Sequence, residues 1–156
     1  MSDRPAKPRS ASTTEMLEYV LPQHANLYGT VFGGQIMAWV DLCGAVCAQR
    51  HAGRPCVTAF VDDLLFKRPV RVGQIVLLRA QVTAAFRTSM EIAVTVLGED
   101  TLSGEQWPTL ECSMTFVAMS DEQRPTPIPA LLLVSDEERA AHAAADQRRR
   151  VRLAKR

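Results

Sequence analysis

From Gly33 to Ala48 the chain places sixteen residues in a row with one charge among them, Asp41. Apolar positions there point nearly all the way round a 3.6-residue period, which predicts a helix wrapped by other structure rather than one lying on a surface. The helix should run to about Arg50 and break over His51-Ala52-Gly53-Arg54-Pro55. Beyond that break the period changes. Residues 56–66, 74–84, 89–97 and 109–119 are rich in Val, Ile, Leu, Thr and Phe, and each has the length of a long strand. Turn signals separate them: Arg68-Pro69 to Val72-Gly73, Phe86-Arg87-Thr88, and the stretch 98–108. Ahead of the helix, residues 15–21 read as a first strand stopped by Pro22, followed by a polar loop over 23–31. The predicted class is α+β, a meandering antiparallel sheet of about five strands with one long helix against it.

The ends read differently. Residues 1–13 open on a Pro-, Ser-, Arg- and Lys-rich stretch and are expected to be a disordered lead to a domain over 14–120. Residues 121–156 begin with Pro125, Pro127 and Pro129 as a stiff exit. They continue as a helix capped at Ser135, with Glu138 three residues on, and finish in a basic run from Arg148 to Arg156 expected to be a solvated tail. The formal net charge of +1 argues against a nucleic-acid binder driven by bulk electrostatics. No basic-flanked apolar leader and no membrane span is visible, so a cytoplasmic protein is expected. Cys43, Cys47, Cys56 and Cys112 lack the spacing zinc requires and read as buried thiols, so no metal and no cofactor is assigned.

Asp41 is the residue that folding does not ask for. A carboxylate inside an apolar helix costs several kcal/mol unless it is paired or protonated. Together with Gly33-Gly34 at the helix start it is the strongest functional signal in the chain. The segments Asn26-Leu27-Tyr28-Gly29-Thr30-Val31-Phe32-Gly33-Gly34, Ile36-Met37 with Asp41, Val57-Thr58-Ala59, Phe66 to Gly73, and Arg87-Thr88-Ser89 resemble the acyl-CoA thioesterases of the hotdog fold. The match is to the YciA-like and brain-type acyl-CoA hydrolase branch, over about residues 19–119. The resemblance implies a sheet wrapped around the helix and a homodimer, or a trimer of dimers, with active sites between protomers. It implies acyl-CoA as substrate, Asp41 as catalytic acid, Asn26 as the group orienting water or thioester, and a donor from the glycine-started helix.

The residues themselves fit such chemistry. Glycines let an acyl group approach the backbone, and the first N–H groups of a helix are unpaired and electropositive. The amide of Gly34 or Gln35 is therefore a candidate oxyanion donor, a type of contact worth roughly 3–4 kcal/mol elsewhere; alternatively the glycines only permit a tight turn. Asp41 lies about 10 Å along the axis from Gly34, too far for both to meet one carbonyl, which favours a site shared with a second protomer. Asp41 can serve as general base or as nucleophile, or be a structural acid. Asn26 offers a donor and an acceptor, or forms a turn. Arg87 with Thr88 and Ser89, then Lys67 and Arg68, and further Arg71, are candidates for the phosphates of coenzyme A. His24 reads as a surface loop residue in preference to a second catalytic group, Asp62-Asp63 as edge or interface polar residues, and Trp39 and Trp107 as packing. The resemblance implies that Gln35, where relatives often carry a bulkier residue, shapes the acyl pocket. The leading expectation is hydrolysis of acyl-CoA to free acid and coenzyme A. The alternative is a non-catalytic acyl-CoA-binding regulator on the same fold.

Overall fold

The apolar run folds as α1 (Gly33–Ala52), ended by Gly53 in the left-handed region at φ 69°, whose N–H donates to Gln49 O at 2.7 Å. In the computed structural model, which describes residues 5–156, this helix packs on one antiparallel sheet. The strands in chain order are β1 (Lys7–Pro8), β2 (Thr14–Tyr19), β3 (Cys56–Phe66), β4 (Ile75–Ala85), β5 (Ser89–Glu99), β6 (Gln106–Ala118) and β7 (Leu131–Leu132), with α2 (Asp136–Ala154) last. The five-stranded order is β2-β4-β5-β6-β3, the hotdog arrangement of a sheet curled about a central helix.

The meander holds for β4, β5 and β6 only. β3 does not neighbour β4; it pairs with β6 at the far edge. The 67–74 connection has to travel back beneath the start of α1 to reach β4. It is held there by Val31 N–H to Val70 O at 2.8 Å and a bridge between Thr30 and Arg71.

Alternation along the strands sends Met90, Ile92, Val94 and Val96 inward, all buried, onto Val40, Cys43, Cys47 and Ala48 of α1. Side chains buried to this degree each contribute about 1.5–3 kcal/mol if aliphatic or aromatic. Gly44 lets helix and sheet approach closely, since a Cβ there would lie 3.0 Å from the Phe116 ring.

Three expectations change. α1 is not wrapped all round: Gly34, Ala38, Asp41, Leu42 and Val46 are exposed, because the sheet of one chain covers one side of the helix. The N-terminal lead is ordered from Lys7, where β1 pairs in parallel with β7 and Arg9 binds Glu137 at 2.8 Å; residues 1–4 lie outside the described residues. The basic run is not a solvated tail. Its residues 148–154 form the last two turns of α2, docked across the outer face of the sheet. The Glu91 carboxylate on β5 accepts from Arg148 Nε at 2.9 Å and Nη2 at 2.7 Å, and Arg152 Nη1 donates to Asp62 on β3 at 2.8 Å. The guanidinium of Arg149 lies 4.5 Å from the centre of the Phe86 ring.

Candidate active site

Asp41 sits on the open side of α1, and its Oδ1 accepts from the Thr58 hydroxyl at 2.5 Å. Thr58 reaches it because of an irregularity in β3. Thr58 pairs with Phe116 and Phe60 with Thr115, so Ala59 is an extra residue. This bulge puts Thr58 and Phe60 on opposite faces, where a regular strand would put them on the same one. Thr58 thus faces α1 and Phe60 faces outward. Thr58 was present in the sequence only as part of a motif. A hydroxyl on a β-rich segment gives no hint of its partner when the two stand 17 residues apart.

At the start of α1 no side chain caps the helix. Gln35 N–H is already committed to Phe32 O at 3.0 Å, so of the two amides named from sequence Gln35 is excluded. Among the described residues the N–H groups of Gly33 and Gly34 have no partner. Both glycines are tightly bounded. A Cβ on Gly34 would come 2.6 Å from Phe32 Cε2, and one on Gly33 3.3 Å from Phe66 Cζ.

Asn26 is exposed, and its side chain organises its own loop. Oδ1 accepts from Tyr28 N–H at 2.9 Å and Thr30 N–H at 3.2 Å, while Nδ2 donates to Thr30 Oγ1 at 2.9 Å. His24 accepts from Leu21 N–H through Nδ1 at 3.0 Å and stacks edge-on against Trp39 with ring centres 5.0 Å apart. Its one acceptor nitrogen is therefore occupied. Burial pushes the Cys43 and Cys47 thiols up to about 11 and about 12, so neither is a nucleophile at neutral pH.

The cations divide into two groups. Lys67 pairs with Glu111 at 3.1 Å, and Arg68 pairs with Glu105 at 2.9 Å while lying over Trp107, so both already have partners. They line a cavity of about 140 Å³ beside Gly33 and Phe66. Arg87 is exposed at the β4–β5 corner, and its guanidinium has no partner among the described residues. The register rows Ser89–Val117–Val57 and Met90–Phe116–Thr58 put that corner two strands, about 10 Å, from Thr58. One chain therefore carries Asp41, Thr58 and the Arg87 corner in one region, with the free glycine amides and Lys67-Arg68 in another.

The sheet order with its long helix is a fold shared with known thioesterases. The family model described as Thioesterase superfamily matches residues 28–105, and the chain belongs to that family. Mouse acyl-coenzyme A thioesterase 11 is 38% identical over 145 residues, covering 93% of this chain and 24% of that protein. The chain thus spans about a quarter of the length of that protein and of mouse acetyl-coenzyme A thioesterase. A crystal structure of an apo-hexameric acyl-CoA thioesterase superposes with a TM-score of 0.93 at 34% identity, covering 97% of each chain. The acyl-CoA hydrolase of Staphylococcus aureus, solved with butyryl coenzyme A, coenzyme A and coenzyme A disulfide, superposes with a TM-score of 0.88 at 34% identity, covering 97% of this chain and 92% of that one. That enzyme has also been solved as variants in which an aspartate, an asparagine or a threonine is replaced by alanine.

Proposed function

We propose that this chain is an acyl-CoA thioester hydrolase, converting acyl-CoA and water to a free acid and coenzyme A, and that its active site is completed by a second copy. The observation that carries the reading is the Asp41 carboxylate, held by Thr58 on an uncovered helix face, with two unpartnered glycine amides on the same helix too far away to share its substrate. An antiparallel twin brings the Gly33-Gly34 amides of one protomer to the Asp41 of the other. The uncovered surface suits this pairing. β3 is an edge strand bearing exposed Val57, Val61 and Leu64, and beside it α1 exposes Leu42 and Val46. The hexameric relative supports a trimer of such dimers.

In the step itself, Asp41 either takes a proton from water as water oxygen attacks the thioester carbon, or attacks that carbon directly to form a mixed anhydride that water then hydrolyses to the free acid and the Asp41 carboxylate. The carbon–sulfur bond breaks as the tetrahedral oxyanion collapses, and the thiolate takes up a proton. The glycine amides hold the oxyanion. Thr58 fixes one carboxylate oxygen and leaves the other for the reaction. Asn26 orients water or thioester through the Nδ2 hydrogen its loop leaves free, and Arg87, Thr88 and Ser89, with Lys67 and Arg68, hold the phosphates. Further support comes from the Staphylococcus aureus variants: the three replaced residues are spaced along that chain as Asn26, Asp41 and Thr58 are here. Four free cysteines suit a reducing cytoplasm, and no helix among the described residues is long and apolar enough to cross a membrane.

The test is thiol release from acyl-CoAs of graded chain length by wild type and Asp41→Ala. Turnover by the first, with a loss of orders of magnitude in the second at retained coenzyme A binding, is expected. Equal rates remove Asp41 from the mechanism, and no release at any chain length removes hydrolysis.

A further inference from the structure

α2 reaches β3 through Arg152. The Arg152 side chain is 13% exposed, donates to Asp62 Oδ2 at 2.8 Å and lies 4.9 Å from the centre of the Phe60 ring. Phe60, Val61 and Asp62 form a short regular island between two irregularities. One lies between Thr58 and Phe60. The other lies between Asp62 and Leu65 and contains Asp63 at φ 53°. Arg152 therefore holds both ends of that island from the outer face. The residue just before the island is the bulged Ala59, and before that stands Thr58, turned inward onto Asp41.

Within one chain β3 pairs with β6 alone, and two departures from regular pairing over residues 58–65 weaken the hold of that pairing on its register. Slippage by one residue would turn Thr58 away from Asp41 and present Ala59 in its place. The grip is itself anchored. One turn earlier Arg148 binds the buried Glu91, and Glu91, Thr115 and Phe60 stand in one row across β5, β6 and β3. A helix pinned to β5 by Arg148 thus presents Arg152 to β3 in the same row, because residues four apart share a helix face.

We propose that Arg152 is a positioning residue for the hydrolytic site, holding the β3 bulge in the register that aims Thr58 at Asp41. The proposal rests on the reading of Asp41 as the reacting carboxylate. Its action runs from Arg152 through Phe60 and Asp62 to Thr58, and Arg152 itself touches no substrate.

The experiment is a double-mutant cycle on butyryl-CoA hydrolysis with Arg152→Ala, Thr58→Val and the pair, together with Arg152→Lys and Asp62→Asn, and backbone hydrogen exchange over residues 57–62. Arg152→Ala should lower kcat by about tenfold to a hundredfold, the scale on which a misplaced group loses rate, and leave KM nearly unchanged. Asp62→Asn should act in the same direction, and Arg152→Lys should recover part of the loss. On a Thr58→Val background Arg152→Ala should cost nothing further, and exchange over 57–62 should quicken in Arg152→Ala while the Ser89–Glu99 strand stays protected. Multiplicative effects in the pair overturn the proposal, as does a rise in KM alone, which marks a phosphate-binding role. Exchange over 57–62 that Arg152→Ala leaves unchanged overturns it without any turnover being measured, whereas a wild type that releases no coenzyme A refutes the hydrolytic reading instead.

Discussion

Replacing Arg148 by alanine leaves Glu91 stranded. The Glu91 side chain is 3% exposed and has three donors: Arg148 Nε at 2.9 Å, Arg148 Nη2 at 2.7 Å and Thr83 Oγ1 at 2.8 Å. The same pair holds the Arg148 guanidinium above its ordinary pKa, chiefly through the hydrogen bonds to Glu91. Breaking a buried ion pair by removing one member costs about 3–5 kcal/mol, since the remaining charge keeps its desolvation and loses its partner. Arg148 itself is 30% exposed, so water enters from its side and lowers the figure to about 2–4 kcal/mol. For a chain of this length each kcal/mol moves Tm by about 2–4 °C, so a fall on the order of 10 °C is expected. Thermal and urea unfolding followed by circular dichroism read it. Glu91→Leu with Arg148→Met should recover most of the loss, because the pair is then absent rather than broken. A change within about 0.5 kcal/mol for Arg148→Ala, the range of an ordinary surface substitution, would refute the reasoning. So would a double variant as unstable as the single one.

Other consequences can be measured directly. His51 is fully buried with Nε2 donating to Pro129 O at 2.8 Å, and burial holds its pKa below 6.5. The unfolded chain therefore takes up the proton first as pH falls: stability is complete above pH 6.5 and declines below it, and His51→Gln should flatten Tm between about pH 7 and 5. Gly34→Ala forces the Phe32 ring aside and narrows the approach to the free amides, so kcat should fall by about tenfold or more; an unimpaired rate excludes that amide as donor. Arg87→Ala should raise KM for CoA esters more than for truncated thioesters, and an unchanged ratio denies it a phosphate role. Burial holds Cys43 and Cys112 at about 11 and Cys47 at about 12, so iodoacetamide at pH 7.5 should label these three only as the protein unfolds, while half-buried Cys56 reacts ahead of them.

Local pattern was enough to settle α1 and the long strands, though not the short β1 and β7. Period and breakers mark α1 and each long strand to within about three residues, because an apolar face and a glycine or proline stop act within a few positions of themselves. The family motifs were equally legible, and with them the pairing of an acid with a glycine-started helix. Relations between distant residues were settled only by the tertiary structure. β3 leaves the meander for the far edge because its connection passes under α1, which no window of sequence reports. Composition made the basic C-terminal run a solvated tail. Folding makes it a clamp, since Glu91 and Asp62 stand on two separate strands and meet Arg148 and Arg152 only after the sheet has formed. Likewise Asp41 lies among apolar neighbours in sequence yet is exposed in the folded chain, because one sheet shields one side of a helix. Its partner Thr58 faces it through a single extra residue in a strand, and the side to which a bulged strand turns is decided by pairing with β6 rather than by the residues it contains.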